Sequence, residues 1–172
     1  MSDDRIEIYP GDITRLDVDA IVNAANERLA PGGGVCGAIH RAAGPELAEA
    51  CAKIGGCPTG GARITDGYRL GARHVIHAVG PVWQGGTEGE DRLLASAYLS
   101  SLALAQRHKL RSVAFPAIST GVYGYPLERA TRIAVETVCD WLDREDGLDK
   151  VVFAVFGQAA ERAYRDALAK RL

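Results

Sequence analysis

Six short apolar runs alternate along the chain with four longer segments whose apolar residues recur every three or four positions. The runs IEIYPGDI (6–13, interrupted by Pro10-Gly11), DAIVNAA (19–25), GARITDGY (61–68), HVIHAVG (74–80), RSVAFPAI (111–118) and KVVFAVF (150–156) predict strands. Residues 37–54, 91–108, 126–145 and 159–172 predict helices. In the last of these, Ala163, Ala167, Leu168 and Leu172 keep an apolar stripe at helical spacing. Such alternation argues for an α/β domain with helices on both sides of a largely parallel sheet. Runs 61–68 and 74–80 have no helix between them, so the sheet is expected to be mixed.

Length and charge narrow the function. A chain of 172 residues without repeats, low-complexity stretches or long linkers is expected to form one domain over 1–172. The net charge of −2 offers no basic excess to hold a nucleic acid or an anionic membrane. No apolar run approaches the roughly 18 residues of a membrane-spanning helix, and MSDDRIEIYPGDI lacks the apolar core of a signal peptide. The four cysteines, Cys36, Cys51, Cys57 and Cys139, form no C-x-x-C pair, which argues against zinc or a redox dithiol. Reduced thiols in a cytoplasmic protein are the expectation.

Two glycine-rich loops carry the candidate chemistry. PGGGVCGAIH (31–40) follows the strand 19–25 and opens a helix. STGVYGYP (119–126) follows the strand 111–118, with Pro126 suited to a first helical position. A helix N-terminus offers unpaired N–H groups and partial positive charge. Glycine lets the backbone approach a ligand closely, and ligands of open α/β sheets sit at the carboxyl ends of strands. Two such loops on one rim suit a diphosphate. Neither contains Lys or Arg, so main-chain groups would do the holding. Gly32, Gly34 and Gly37 satisfy G-x-G-x-x-G, but Asn26 to Pro31 separate them from the strand and no acidic residue stands about twenty positions on, so a dinucleotide fingerprint is weak. A P-loop is weaker still, because no G-K-[ST] occurs.

GDIT (11–14), VNAAN (22–26), GGGVCGAIHRAAG (32–44), CPTGGARIT (57–65), HVIHAVGPVW (74–83), LLASAYLSSL (93–102) and VAFPAISTGVYGYP (113–126), in this order, strongly resemble the macrodomain family. The resemblance runs from about residue 6 to the last helix. It is greatest to the MacroD-type branch, which includes bacterial O-acetyl-ADP-ribose deacetylases. It implies a three-layer α/β/α sandwich with a mixed, largely parallel sheet, and ADP-ribose as ligand. By the same resemblance, Asp12 would accept a hydrogen bond from the adenine amino group and the Ile13 N–H would meet the adenine ring. Gly33, Gly34 and Val35 would wrap the diphosphate and distal ribose together with Ser119, Thr120, Gly121, Val122 and Tyr123. Tyr123 would cover the distal ribose, Asn26 would hydrogen-bond one of its hydroxyls, and Asn23 would tie loop backbone together. Phe156 would pack near the adenine or belong to the plain core. Gly157 stands where related sequences often carry an acidic residue.

Two positions depart from the loop G-G-G-G-V-D-G of MacroD-type hydrolases. Pro31 replaces the first glycine and stiffens the loop entrance. Cys36 replaces the aspartate thought to orient or activate a water at the distal ribose. A neutral thiol is a poor acceptor and base; a thiolate at a helix N-terminus activates water or attacks directly; a small inert filler is the third option. His40, one turn beyond Cys36 on the same face, would assist proton transfer or simply pack. The substrate's own phosphate as base, or positioning alone, are further routes. The expected activity is hydrolysis of ester-linked ADP-ribose, as O-acetyl-ADP-ribose or as mono-ADP-ribose on acidic side chains of proteins, with no metal or cofactor. The alternative is an ADP-ribose-binding module with little turnover.

Overall fold

The computed structural model describes residues 4–171; residues 1–3 of the acidic N-terminus and Leu172 of the predicted stripe lie outside the described residues. Its strands are β1 (Ile6–Pro10), β2 (Ala20–Ala25), β3 (Ala62–Asp66), β4 (His74–Val79), β5 (Ser112–Phe115) and β6 (Lys150–Val155). Its helices are α1 (Gly34–Ala43), α2 (Pro45–Ile54), α3 (Glu90–Arg107), α4 (Leu127–Arg144) and α5 (Gln158–Ala169). The strands form one sheet in the order β1-β6-β5-β2-β4-β3. All neighbours are parallel except β3 and β4, which are antiparallel. This is the mixed, largely parallel sheet expected from the missing helix between them.

Alternation along the strands feeds two separate cores. Val22, Ile76, Val113 and Phe153 point to one face, against Leu94 and Leu102 of α3, Val135 of α4 and Tyr164 of α5. Ile21, Val75, Ala114 and Val152 point to the other, against Ile39 of α1 and Leu47 and Cys51 of α2. The result is a three-layer α/β/α sandwich. Burying a side chain such as Ile39, fully inaccessible here, stabilises by about 2 kcal/mol, so α1 is docked firmly by its inner face.

Three predicted elements end early, each at a proline. The predicted helix 37–54 is two helices: Gly44, at φ 91°, closes α1 with its N–H on the His40 carbonyl (3.1 Å), and Pro45 starts α2. The predicted strand 6–13 stops at Pro10, and a single 3-10 turn, Ile13–Arg15, follows with Asp12 as its N-cap. The predicted strand 111–118 stops at Phe115, because Pro116 has no N–H for the ladder.

The segment between β4 and α3 anchors the second glycine loop. The buried Glu90 carboxylate accepts the N–H groups of Gln84 (2.9 Å), Gly86 (2.9 Å) and Glu88 (2.7 Å). Beside it Asp91 accepts hydrogen bonds from the Tyr125 hydroxyl and the Arg129 guanidinium, which lies over Trp83 at 5.0 Å. The Trp83 N–H in turn donates to the Tyr123 carbonyl (2.8 Å). Burial opposes charge on Glu90, but the N–H groups of Gly86, Gln84, Glu90 itself and Glu88 outweigh it and hold the carboxyl down at about 2, against an ordinary 4.5. The folded form therefore binds this proton more weakly than the unfolded form. Its stabilisation is complete above about pH 4.5 and is lost as the pH falls toward about 2. Glu90→Gln is expected to lower Tm by several degrees at neutral pH and to flatten the acid limb of stability, as read by thermal melts across the acid range.

Candidate functional site

β2, β4, β5 and β6 run parallel, so their carboxyl ends share one rim, and a cavity of about 480 Å³ opens there. Most of the expected ligand-binding residues line it: Ile13, Asn26, Gly33, Gly34, Val35, Ser119, Thr120, Gly121, Val122, Tyr123 and Phe156, together with Cys36. Asp12 and His40 do not. No lining residue is a Lys, Arg, Asp or Glu.

The first wall is the start of α1. Gly33 caps the helix without a side-chain hydrogen bond, and the first helical bond runs from the Gly37 N–H to the Gly33 carbonyl (3.1 Å). The N–H groups of Gly34, Val35 and Cys36 thus precede the ladder. Gly34 takes φ 56° and Gly37 lies against the Gly32 carbonyl, which a Cβ would approach to 2.5 Å. Asn26 closes the strand-to-loop turn, its Nδ2 donating to the Ala30 carbonyl (2.9 Å) and its Oδ1 accepting the Ala30 N–H (3.0 Å). One amide hydrogen and one lone pair remain for a ligand.

The second wall departs from expectation. Residues 119–123 line the cavity as a turn, several positions before α4, and Pro126 is the N-cap of that helix rather than its first residue. Thr120, Gly124 and Tyr125 donate their N–H groups to Ala117 (3.4 Å), Gly121 (3.0 Å) and Ser119 (3.0 Å), whereas Gly121, Val122 and Tyr123 take no part as main-chain donors in this closure. Besides α1, the helix whose first turn reaches the cavity is α5, through Ala160, not α4. Its N-cap, Gly157, sits at φ 86°, a conformation that glycine adopts without strain. Phe156 is 68% exposed at the rim, so the plain-core alternative for it is wrong; Val122 is fully exposed.

Ser119 is held at φ 69°, and its buried hydroxyl has no partner. A Cβ on Gly80 would meet that hydroxyl at 2.3 Å. Gly80 lines the floor with Pro116 and Ala117, none of which sequence reasoning named. The signal was available for Gly80, which stands at the carboxyl end of a predicted strand on the same rim.

Asp12 is tied to its own turn. Its Oδ1 accepts from the Thr14 N–H (2.9 Å) and hydroxyl (2.7 Å), and these bonds hold its carboxyl below the ordinary range. Tyr123 is half-buried; burial, with Glu27 and Cys36 nearby, pushes its phenol up. Cys36 is the third residue of α1, with Sγ 3.6 Å from Asn23 Nδ2 and 3.8 Å from the Ala30 carbonyl. Asn23 therefore ties the cavity wall to β4 through side chains, not loop backbone as expected: its Nδ2 lies 3.2 Å from His77 Nδ1. His40 is buried behind the wall, its ring 6.5 Å from that of His77 and both nitrogens without a partner, and burial pulls its pKa down. Burial, then the nearby His40, pulls His77 down to about 4, so it is neutral at physiological pH. Among the described residues no group of three or more His, Cys, Asp or Glu side chains could hold a metal ion, and no helix is long and apolar enough to cross a membrane.

Uncharged walls, two main-chain loops facing each other and a single thiol on the carboxyl rim of an α/β/α sandwich define a receptor for an extended anionic ligand. The chain belongs to the Macro domain family, whose sequence profile matches residues 22–134. A macro domain-containing protein of Chlorobaculum tepidum is 58% identical over 164 residues, covering 95% of each chain. A protein of Escherichia fergusonii named O-acetyl-ADP-ribose deacetylase is 54% identical over 171 residues, covering 97% of each. The Trypanosoma brucei macrodomain in complex with ADP-ribose superposes with a TM-score of 0.91 at 47% identity, over 95% of this chain and 69% of that one.

Gly37→Ala places a methyl group against the Gly32 carbonyl. It is expected to cost about 1–3 kcal/mol by overpacking, whereas Gly33→Ala, with nothing within 4 Å of the new Cβ, should leave stability nearly unchanged. Urea unfolding of the two variants side by side checks this.

Proposed function

We propose that this chain binds ADP-ribose and hydrolyses esters at its distal ribose, either O-acetyl-ADP-ribose or mono-ADP-ribose joined to acidic side chains of proteins. The observation that carries the proposal is the pair of main-chain walls, at Gly33–Cys36 and Ser119–Tyr123, facing one cavity without a cationic side chain. A diphosphate suits such amides, because each is a fixed donor and none needs a counter-charge. The complex of the Trypanosoma brucei macrodomain with ADP-ribose and the name of the Escherichia fergusonii relative support the same ligand and reaction.

In this arrangement the adenine lies toward Ile13 and Phe156, with Asp12 Oδ2, which lies 3.9 Å from Arg15 Nε, as acceptor for its amino group from beside the cavity. The distal ribose lies toward Asn26, Cys36 and Tyr123. Asn26 keeps one N–H for a ribose hydroxyl. Water adds to the ester carbonyl, the bond from that carbon to the ribose oxygen breaks, and the ribose oxygen takes up a proton, giving acetate and ADP-ribose. His40 does not reach the cavity wall and takes no proton in this scheme. The four cysteines, all free and buried, favour a reducing, cytoplasmic setting.

A second reading has a specific observation behind it. No carboxylate lines the cavity, and by the sequence resemblance Cys36 stands where the family keeps an aspartate. A macrodomain so altered would retain ADP-ribose or ADP-ribosylated proteins with little turnover. Hydrolysis of O-acetyl-ADP-ribose by the native chain and by Cys36→Asp, with ADP-ribose calorimetry on both, separates the two. The aspartate variant is expected to hydrolyse about tenfold faster or more at similar affinity. Equal rates would refute a role for the acceptor at position 36, and an inactive native chain that binds ADP-ribose would establish the binding module.

Gly121→Glu places bulk and negative charge in the second wall. ADP-ribose affinity is expected to fall by about a hundredfold or more, and unchanged calorimetric affinity would remove the diphosphate from this loop.

A further inference from the structure

Behind the cavity wall, in the largely apolar layer between the sheet and helices α1 and α2, four side chains from four elements form a continuous hydrogen-bonded line. β2 and β4 pair Asn23 with His77, so the two side chains stand abreast on the same face. Thr65 of β3 approaches His77 from the other side. Asn23, His77 and Thr65 are 1%, 0% and 9% exposed. The line ends at Cys36, which lines the cavity.

The direction of each bond follows from the one before it. The Thr65 hydroxyl donates to the Asp66 carbonyl (3.1 Å), so Thr65 Oγ1 accepts the N–H of His77 Nε2 (3.0 Å), with Cys51 Sγ as a more distant neighbour of the same nitrogen (3.6 Å). Neutral His77 then carries no proton on Nδ1, which accepts one N–H of Asn23 (3.2 Å). The other Nδ2 hydrogen of Asn23 points to Cys36 Sγ (3.6 Å), and the thiol proton is left to the Ala30 carbonyl (3.8 Å). Asn23 Oδ1 is the one atom of that amide without a partner. Turning the amide over would strand two N–H groups instead of one oxygen. The line therefore presents a donor to the underside of residue 36, and that donor is matched by an acceptor, sulfur or carboxylate, and not by an alkyl group.

We propose that Thr65 and His77 are positioning residues for Cys36, acting through Asn23: they fix the tautomer and the amide orientation that seat the sulfur in the cavity wall. The catalytic consequence rests on the hydrolase reading above; the seating itself does not.

The test uses the full chain with Thr65→Val, which keeps the shape but removes the acceptor, and Thr65→Ser, which keeps the acceptor. The ¹⁵N spectrum of labelled histidine should show His77 as the Nε2–H form in the native chain and in Thr65→Ser, and a mixture in Thr65→Val. The Asn23 side-chain amide resonance should move in Thr65→Val and in Cys36→Ala but hold in Thr65→Ser. With O-acetyl-ADP-ribose, Thr65→Val should lose about tenfold in kcat at unchanged KM, with Thr65→Ser close to native. A His77 Nδ1–H form in the native chain, an unmoved Asn23 amide in Thr65→Val, or equal losses in the two Thr65 variants would each overturn the proposal. If neither the native chain nor Cys36→Asp hydrolyses the ester, the hydrolase reading falls, and the two resonances alone decide the seating.

Discussion

A main-chain N–H left out of its own helix or turn is matched by solvent or by a ligand, and the carboxyl rim of this sheet is arranged around that constraint. Gly34, Val35 and Cys36 begin α1 with nothing capping them from Gly33. The helix cannot retreat to satisfy them, because Ile39 and Ala43 are fully buried behind the first turn and Gly44 closes the far end. Across the cavity, the turn at 119–125 is stretched between its own three hydrogen bonds and the anchor from the Tyr123 carbonyl to the Trp83 N–H. Donors fixed in this way need no rearrangement to meet an anion. Their combined dipoles replace the lysine or arginine that the walls lack.

The sheet was legible because strands buried on both faces read as near-continuous apolar runs, and the α3 and α4 segments because their apolar residues keep a helical period. Strand order and register are not written in such runs, so the pairing of Asn23 with His77 was out of reach. So was the arrival of α5 at the cavity, since VVFAVFG reads only as a strand end. His40 shows a different limit. Spacing placed it correctly on the helix face of Cys36, but one turn advances the chain by about 5.4 Å. That step is enough to carry it from the cavity wall, where α1 begins, to the buried layer behind. Asp12 was expected as an adenine partner; the structure makes it an N-cap, whose Oδ1 is taken by Thr14 and whose Oδ2 lies 3.9 Å from Arg15 Nε.

A polar group in a core lowers stability unless it is fully paired. The layer beneath α1 holds Asn23, His77, Thr65 and Cys51 in contact, with Cys51 Sγ 3.6 Å from His77 Nε2, and it leaves Asn23 Oδ1 and both His40 nitrogens unmatched. Each such orphan costs about 1–3 kcal/mol, and an apolar replacement of similar shape would avoid that cost. The cluster lies directly behind Cys36, whose sulfur lines the cavity wall. That placement ties its expense to the site rather than to the fold.

The donor beneath position 36 also explains why cysteine and aspartate are not equivalent there. A carboxylate has two oxygens, so one can accept the Asn23 N–H while the other faces a water in the cavity. Cysteine has a single sulfur, and here that atom is already engaged by Asn23 from beneath and directed at the Ala30 carbonyl from the side. The wall keeps its shape and its internal hydrogen bonds, yet it gives up the second acceptor that would orient water. On the proposed reading, ligand retention rests on the main-chain amides, whereas turnover rests on the acceptor at position 36. Binding and hydrolysis would then be carried by different atoms of the same helix terminus, and a single residue would separate them.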